Sequence, residues 1–545
     1  MRRLAFSRFL ALLAFACFVL ALLNLKLLQY RFGGYDLSPL IDSGWRVYLG
    51  QAPNRDFICT FPPVLYLSIA LAFKIFGVRW LAVTIAGSAF PLLLALAGLR
   101  IIYLLRSRMP EDQLRWLAVI YSALQMTPLL AVGFPWHSSW TEMTAVYALL
   151  ITFAICMSPP QRRPIFTEFF AHLCAAEALL LLAKPNVAAP ILMCCIITLL
   201  LAGKLRSALL GLLGGTLLSS VLLAFAHTSL VTTFSVYLQL TSRFRPGHYF
   251  AGILYDKDLS VGFQRWTIYA VLLPAALWLI VQIFRRPTVA PLWLRVLALG
   301  GAIATALGIG TNVEFALVDA PALLTSAALV ATISATSHLT HTSGSSRLLA
   351  LQNPTGSTFG SAPPGTFARS VISAAAYAVF ALAFFYGISR ARMQEIGVWA
   401  EGETCGTEAQ VHDPFFGTFT SCRNLLSVLD ETDSTIRSLK PRSVFFGPRM
   451  EFLYAREHIA PPRGLPLWWH PGSSYPFRAV PRILTAFEAD RPDVLIFLHD
   501  DRSHMPAALL AVMSREYHQV PHPPAPGYPD LADDPTAHID VYTRR

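Results

Sequence analysis

Apolar segments of about 20 residues recur along most of the chain, and they constrain its fold more than any other feature. A bilayer-crossing helix needs about 20 mostly apolar residues. Only 14% of the 545 residues are charged, against about 25% in soluble proteins. The sequence therefore predicts a polytopic, mainly α-helical membrane protein. About eleven segments qualify as spans, at 9–28, 80–104, 114–132, 139–157, 167–183, 186–203, 207–229, 267–284, 291–309, 315–336 and 370–388.

Short Lys and Arg clusters lie between these segments and set their orientation, because cytoplasmic loops carry an excess of both residues. If the short apolar segment 61–77 does not cross the bilayer, the basic clusters fall in the cytoplasm. We therefore predict an interfacial or re-entrant helix at 61–77 and a cytoplasmic N-terminus. The first outer loop is then 29–79 and the second is 230–266. A segment rich in Ser, Thr, Gly and Pro, 337–368, is predicted to be a flexible cytoplasmic linker.

From about residue 391 to its end, the chain has the composition of a soluble domain. The segments 442–455 and 492–501 are each typical of a short buried strand that leaves into a loop, the first with a helix after it. The end of the chain, 538–545, is typical of a last strand. The sequence thus predicts a transmembrane unit at 1–390 and a small periplasmic α/β domain at 391–545, which is a normal domain size.

Charge and cysteine usage exclude some classes of function. The net charge of +11 does not indicate nucleic-acid binding, because the basic residues lie between apolar runs, as expected beside anionic lipid. Cys405 and Cys422 lie in the polar C-terminal region. If that region is extracytoplasmic, these two cysteines can form a disulfide. The lack of a CxxC pair argues against a structural zinc site.

The segment 35–63 is polar and carries three aspartates directly after the first apolar segment. Ionisable groups near membrane depth are costly and are functional candidates by default. Asp36 lies at the mouth of the first span. Asp42 lies four residues before Arg46, so the two side chains share a helix face. A solvated amphipathic segment on the membrane surface is the alternative explanation for Asp42.

This first loop resembles that of the GT-C class of integral-membrane glycosyltransferases, which includes the protein O-mannosyltransferases and the aminoarabinose transferase of lipid A. An acid after the first span is followed by a glycine, a Pro-x-Arg-Asp-Phe motif, two prolines and an apolar helix that ends in Phe-Gly. The segment 181–193 is similar to the Lys-Pro-Asn turn that this class often has between two spans. The matching first-loop residues are Asp36, Gly50, Pro53, Arg55, Asp56, Phe57, Pro62, Pro63, Phe76 and Gly77.

The resemblance implies a GT-C-like fold in a bacterial inner membrane. It implies transfer of a sugar from a polyprenyl-phosphate donor to a glycan, lipid or protein acceptor on the periplasmic side. Asp36 is then the general base, and Asp56 belongs to the catalytic motif. Many members have paired acids at the first position, whereas this chain has Asp36 followed by Leu37. A divalent metal is therefore not favoured, and no cofactor is certain.

Cations must hold the donor phosphate and stabilise its leaving charge. Lys184 lies in the Lys-Pro-Asn turn, on the same predicted side as Asp36. Its alternative role is that of a lysine that anchors a helix end. Arg243, Arg245 and Tyr249 form a basic and aromatic cluster in the second outer loop, and Arg suits phosphate. A juxtamembrane aromatic and basic belt explains this cluster equally well.

Further residues are weaker candidates for contact with the acceptor. His137 and Glu142 lie at an outer span end, where structural capping is at least as good an explanation. Glu314 lies in a later outer loop. The complete set of these secondary candidates is Asp42, Arg46, Arg55, His137, Glu142 and Glu314.

Two other classes of function stay open. Many spans with scattered buried charges fit a transporter or flippase for a lipid-linked or polar solute, although such proteins tend to show symmetry between two halves, which this sequence does not. A non-catalytic protein of envelope assembly would leave the first-loop acids dispensable.

Overall fold

The computed structural model describes residues 2–29, 32, 37–130, 137–159, 167–241, 281, 291–311, 325–326, 328–330, 408–471, 474–499, 505–521, 527–531 and 533–545. This part of the chain is mainly helical, and a small sheet region lies near the C-terminus. The predicted linker at 337–368 and the predicted domain boundary near residue 391 lie outside the described residues.

The N-terminal part of the chain forms helices that coincide with the predicted spans wherever those spans are described. The helices are α1 (Arg2–Gln29), α2 (Leu37–Tyr48), α3 (Pro63–Phe76), α4 (Trp80–Leu104), α5 (Glu111–Leu130), α6 (His137–Met157), α7 (Glu168–Leu182), α8 (Pro185–Leu201), α9 (Leu205–Ala224), α10 (Leu230–Thr241) and α11 (Leu292–Thr311).

Among the described residues, four helices are long and apolar enough to cross a membrane. They are Ala5–Lys26, Trp80–Ser107, Trp140–Met157 and Leu205–Ala224. The predicted spans at 267–284, 315–336 and 370–388 lie almost wholly outside the described residues. The structure therefore supports a membrane protein but does not confirm the predicted number of about eleven spans.

Helix α9 packs against α7 through small residues. A side chain at Gly215 would bring its Cβ within 2.7 Å of Glu177 Cβ, so only glycine allows the two backbones to approach this closely. Small residues at such contacts are the usual basis of helix association in lipid. The predicted Lys-Pro-Asn turn lies between α7 and α8, where Pro185 is the first residue of α8, a position that tolerates its missing N–H.

The C-terminal region, meaning the described residues from 408 to 545, contains two small sheets. Its elements are β1 (Glu408–Asp413), β2 (Gly417–Cys422), α12 (Arg423–Leu439), β3 (Val444–Phe446), α13 (Leu453–Arg456), α14 (Val480–Asp490), β4 (Val494–Leu498), α15 (Ala507–Glu516), β5 (Tyr517–Val520) and β6 (Ile539–Arg544).

The larger sheet has the strand order β3-β4-β6-β5, and β1 and β2 form a separate antiparallel hairpin. Strands β3 and β4 are parallel, with Phe445 opposite Leu495, whereas β6 runs antiparallel to both of its neighbours. The three strands expected at 442–455, 492–501 and 538–545 are confirmed as β3, β4 and β6, and helix α13 follows β3 as expected. Cys422 is disulfide-bonded, while Cys405, its predicted partner, lies outside the described residues.

The C-terminal region packs directly onto the helices, and it also has a second hydrophobic core that its own residues form together with Ile58. The ring of Phe32 lies 5.2 Å from Trp80, 4.6 Å from Phe416 and 5.0 Å from Phe452, measured between centroids. The backbone N–H of Trp80 donates to the carbonyl of Phe415 over 2.9 Å. Residues from both predicted units therefore share one hydrophobic core.

Helix α3 begins and ends beside this C-terminal region. Just before it, Ile58 exchanges backbone hydrogen bonds with Leu465 and Leu467, and just after it Trp80 is bonded to Phe415. We call the end of the helices that meets the C-terminal region the domain end. Both termini of α3 lie there, so α4 starts at the domain end. The helices from α5 to α9 then alternate in direction, as the contacts between their connecting turns indicate.

The shared aromatic cluster should dominate the docking of the C-terminal region. Phe416→Ala removes a ring that is 5% exposed and should lower the free energy of unfolding by about 3–5 kcal/mol. Thermal unfolding of the detergent-solubilised protein measures this loss. Phe477→Ala, at a ring that is 54% exposed, is the matched control and should change stability by less than about 0.5 kcal/mol. Equal losses in both variants would contradict the cluster's role.

Candidate functional site

Helix α2 lies between α3 and the C-terminal region, and ten of its twelve residues are buried. Its sequence nevertheless places Ser38, Asp42 and Arg46 at intervals of four, which puts all three on one face. That polar face meets the C-terminal region. The alternative of a solvated surface helix is therefore wrong, because Asp42 is 0% exposed.

Arg46 contacts several residues at once from this face. Its Nε donates to Asp42 Oδ2 over 2.8 Å, and its Nη1 donates to the carbonyl of Pro462 over 2.7 Å. The guanidinium also lies over the rings of Phe57 and Tyr454, 5.3 and 5.7 Å from their centroids. The predicted pairing of Asp42 with Arg46 is confirmed, and it occurs in a buried site.

Glu451 is a residue of this site that sequence reasoning missed. It lies in the loop after β3 and is 3% exposed. Its Oε2 accepts a hydrogen bond from Ser38 Oγ over 2.7 Å, while the same hydroxyl accepts from the N–H of Phe452 over 3.0 Å. An acid shortly after a predicted buried strand was the available signal. We call Ser38, Asp42, Arg46 and Glu451 together the clasp.

The clasp contains two carboxyl groups but one guanidinium. Asp42 Oδ1 and Glu451 Oε1 are buried without a hydrogen-bond partner. Burial raises the pKa of Glu451 to about 8, and burial raises the pKa of Asp42 to about 6 against the opposing effect of Arg46. At neutral pH the clasp therefore holds an Asp42–Arg46 ion pair beside a neutral Glu451.

The residues that the structure describes contain no group of three or more His, Cys, Asp or Glu side chains placed to hold a metal ion. The clasp supplies two carboxyl groups, one of them neutral at pH 7, and a cation already beside them. This arrangement is suited to holding a proton and to joining two segments of the chain.

Asp56 holds together the turn of the Pro-x-Arg-Asp-Phe motif. Its Oδ2 accepts from the N–H of Ala52 over 2.8 Å and from Arg55 Nη2 over 2.9 Å. The Arg55 hydrogen bond lowers the pKa of Asp56 to about 2, so this carboxylate is a weak base. The carbonyls of Asp56 and Arg55 accept from Gly464 N–H and from Arg482, which ties the turn to the C-terminal region. The catalytic role of Asp56 stays a prediction.

The start of the second predicted outer loop reaches the same place. Tyr237 Oη, in α10, donates to the carbonyl of Thr60 over 2.8 Å. Thr228 Oγ1, two residues before the predicted loop begins, donates to the carbonyl of Pro53 over 3.2 Å. The two predicted outer loops are therefore in contact at the domain end.

The Lys-Pro-Asn turn lies beside the start of α6. The backbone N–H of Lys184 donates to Thr141 Oγ1 over 3.1 Å. Glu142 is the next residue of α6 and is buried, and His137 is the first residue of that helix. Since α6 and α8 run in the same direction as α4, both start at the domain end, and the contact between Lys184 and Thr141 joins them near their first residues.

The other candidates lie outside the described residues. They are Asp36, Arg243, Arg245, Tyr249 and Glu314. Asp36 is the residue immediately before Leu37, the first residue of α2.

Glu177 is a second acid that sequence reasoning passed over. It lies in α7, inside the predicted span 167–183, and is buried with both carboxyl oxygens unpartnered. Its side chain faces Gly211 and Gly215 of α9. An acid within a predicted span is a functional candidate by default, and that rule was the missed signal.

The sequence matches no protein-family model and no curated protein. What bears on function is therefore the first-loop resemblance together with the geometry at the domain end.

Removing the cation from the clasp should be strongly destabilising. Arg46→Met leaves Asp42 as an unpaired buried carboxyl and should cost about 3–5 kcal/mol of unfolding free energy. Denaturant unfolding in detergent measures the loss. Arg55→Met is the matched control, because that side chain is 63% exposed in its ion pair and its replacement should change the stability little. If Arg46→Met lowers the free energy of unfolding no more than Arg55→Met does, the stabilising role of the clasp is wrong.

Stability should also depend on pH through the two clasp carboxyls. Burial raises both pKa values, so the folded state keeps protons that the unfolded chain has already lost. The stability present at acid pH is therefore lost as the pH rises through about 6 for Asp42 and about 8 for Glu451. Glu451→Gln should flatten the upper part of this decline. Melting temperatures of both proteins across this range test it, and parallel curves would contradict it.

Proposed function

We propose that the protein is a bacterial inner-membrane glycosyltransferase that moves a sugar from a polyprenyl-phosphate donor to an acceptor on the periplasmic side. The acceptor is a glycan, lipid or protein that presents a hydroxyl group. The N-terminus lies in the cytoplasm, and the domain end faces the periplasm.

The observation that carries this proposal is the convergence of the predicted outer segments at one end of the helices. The first loop, the start of the second loop and the C-terminal region are joined by direct contacts at Pro53, Thr60 and Ile58. The Lys-Pro-Asn turn lies at the same end. A transferase that acts at a membrane surface needs base, cations and acceptor-binding elements on one side, and this arrangement supports that requirement.

The topology proposed with it has about eleven spans, with α3 lying in the membrane interface. The 14 residues of α3 would extend only about 21 Å, short of the hydrocarbon thickness of about 30 Å. Leu71 and Ile75 on α3 are exposed, which gives the helix an apolar face for lipid. These features support an interfacial helix.

The chemistry assigned to the site is a displacement at the anomeric carbon of the sugar. The Asp36 carboxylate takes the proton of the acceptor hydroxyl as the new bond from oxygen to the anomeric carbon forms. The bond from that carbon to the donor phosphate breaks, and the polyprenyl phosphate leaves with the bonding electrons. Lys184, Arg243 and Arg245 stabilise the charge on the leaving phosphate.

Replacement of the proposed base tests the function directly. Asp36→Asn and Asp36→Ala should each lower kcat for sugar transfer by at least about 100-fold. The assay supplies membranes with polyprenyl-phosphate-linked hexoses and pentoses and measures labelled product. Asp112→Asn is the matched control. Asp112 is an exposed acid in the first turn of α5, at the end of that helix away from the domain end.

Two results would overturn the proposal in different ways. Transfer near the wild-type rate in both Asp36 variants, with normal expression, would remove Asp36 as the base. Failure of the wild type to transfer from every donor would remove glycosyl transfer itself and would favour a transporter or an assembly protein.

A further inference from the structure

The C-terminal region holds α2 at three points along its length. Near the start of α2, Ser38 bonds to Glu451 and to the N–H of Phe452. Further along, Trp45 Nε1 donates to the carbonyl of Ile459 over 2.8 Å, and Arg46 donates to the carbonyl of Pro462. The position of this helix is therefore set by a part of the chain that lies about 400 residues away.

The Ser38 contact is the one nearest in sequence to the proposed base. Ser38 lies two residues after Asp36 in the sequence and within the first turn of α2. Its hydroxyl is fully buried and is used in both directions, as a donor to Glu451 and as an acceptor from Phe452. A hydroxyl with both functions occupied has little freedom to rotate, so this contact fixes the first turn of the helix.

We propose that Glu451 is a positioning residue for the reaction, because through Ser38 it holds the first turn of α2 and so the backbone directly after Asp36. This inference rests on the proposed function. It makes the C-terminal region part of the catalytic unit.

The groups around Glu451 favour its neutral, protonated form in this positioning role. Asp42 faces it from α2, and Tyr454 faces it from α13. The guanidinium of Arg46 is already paired with Asp42. A negative charge on Glu451 would therefore lie near the Asp42 carboxylate in a buried site, and repulsion between the two carboxylates would act to open the clasp. The neutral acid accepts the Ser38 hydrogen bond without this repulsion.

Three substitutions separate positioning from mere packing. Glu451→Gln keeps a neutral acceptor of the same size, Glu451→Ala removes it, and Ser38→Ala removes its partner. The matched control is Glu431→Gln, a buried glutamate of the same region whose bonds go to His538 and to the N–H of Ile539, within that region. The assay uses the donor that supports transfer by the wild type.

The expected results differ among the variants. Glu451→Ala and Ser38→Ala should each lower kcat on the order of 10- to 100-fold with the donor KM unchanged, and the double variant should lose no more than either single one. Glu451→Gln should stay within about twofold at pH 7. It should also keep its kcat at a pH well above 8, where the wild type loses activity as Glu451 ionises. Glu431→Gln should behave as the wild type.

A measurement that does not depend on catalysis, the rate of alkylation of a buried cysteine, shows whether a substitution opens the clasp. Cys59 is buried beside Asp42 and Arg46, so its alkylation by a membrane-impermeant maleimide, followed by mass spectrometry, should be faster in Glu451→Ala than in Glu431→Gln. The inference is overturned if Glu451→Ala exposes Cys59 while kcat is unchanged, or if Glu451→Gln loses activity with the same pH profile as the wild type. A wild type that transfers no sugar instead removes the proposed function.

Discussion

The structure depends on one constraint, which is that the polar face of α2 must be satisfied in a place without water. Buried ionisable groups are costly unless they are paired or neutral. Arg46 pairs with Asp42 and caps the carbonyl of Pro462, while Glu451 stays neutral and accepts from Ser38. Because half of these partners come from the C-terminal region, α2 is stable in this position only when that region is docked.

Docking in turn organises the rest of the domain end. The aromatic cluster around Phe32 supplies the apolar contact between the C-terminal region and α4. The hydrogen bonds of the clasp have a defined geometry, so they fix the orientation of the C-terminal region relative to α2. The Asp56 turn follows the same principle, since its carboxylate closes the turn and its carbonyl is bonded to Gly464. The first loop and the C-terminal region thus behave as one structural unit.

Sequence reasoning succeeded where the signal was local. The helices from α4 to α9 follow apolar runs, β3, β4 and β6 follow short runs of buried character, and the Asp42–Arg46 pair follows from spacing on one helix. It did less well where the signal lay between distant segments. A solvated Asp42 was a reasonable alternative, because nothing in the sequence of 35–63 shows which segment covers it. The pattern at 442–455 predicts a strand and a loop, and it gives no sign that Glu451 contacts Ser38.

The sequence by itself determined that this is a helical membrane protein with a small C-terminal sheet, because hydrophobic periodicity and length dictate those elements locally. It also marked the first loop as the place where acids collect. Only the tertiary structure decided which acid meets which partner. Ser38 and Glu451 are 413 positions apart, and a hydrogen bond of 2.7 Å between them depends on the docking of whole segments, which no local pattern of residues encodes.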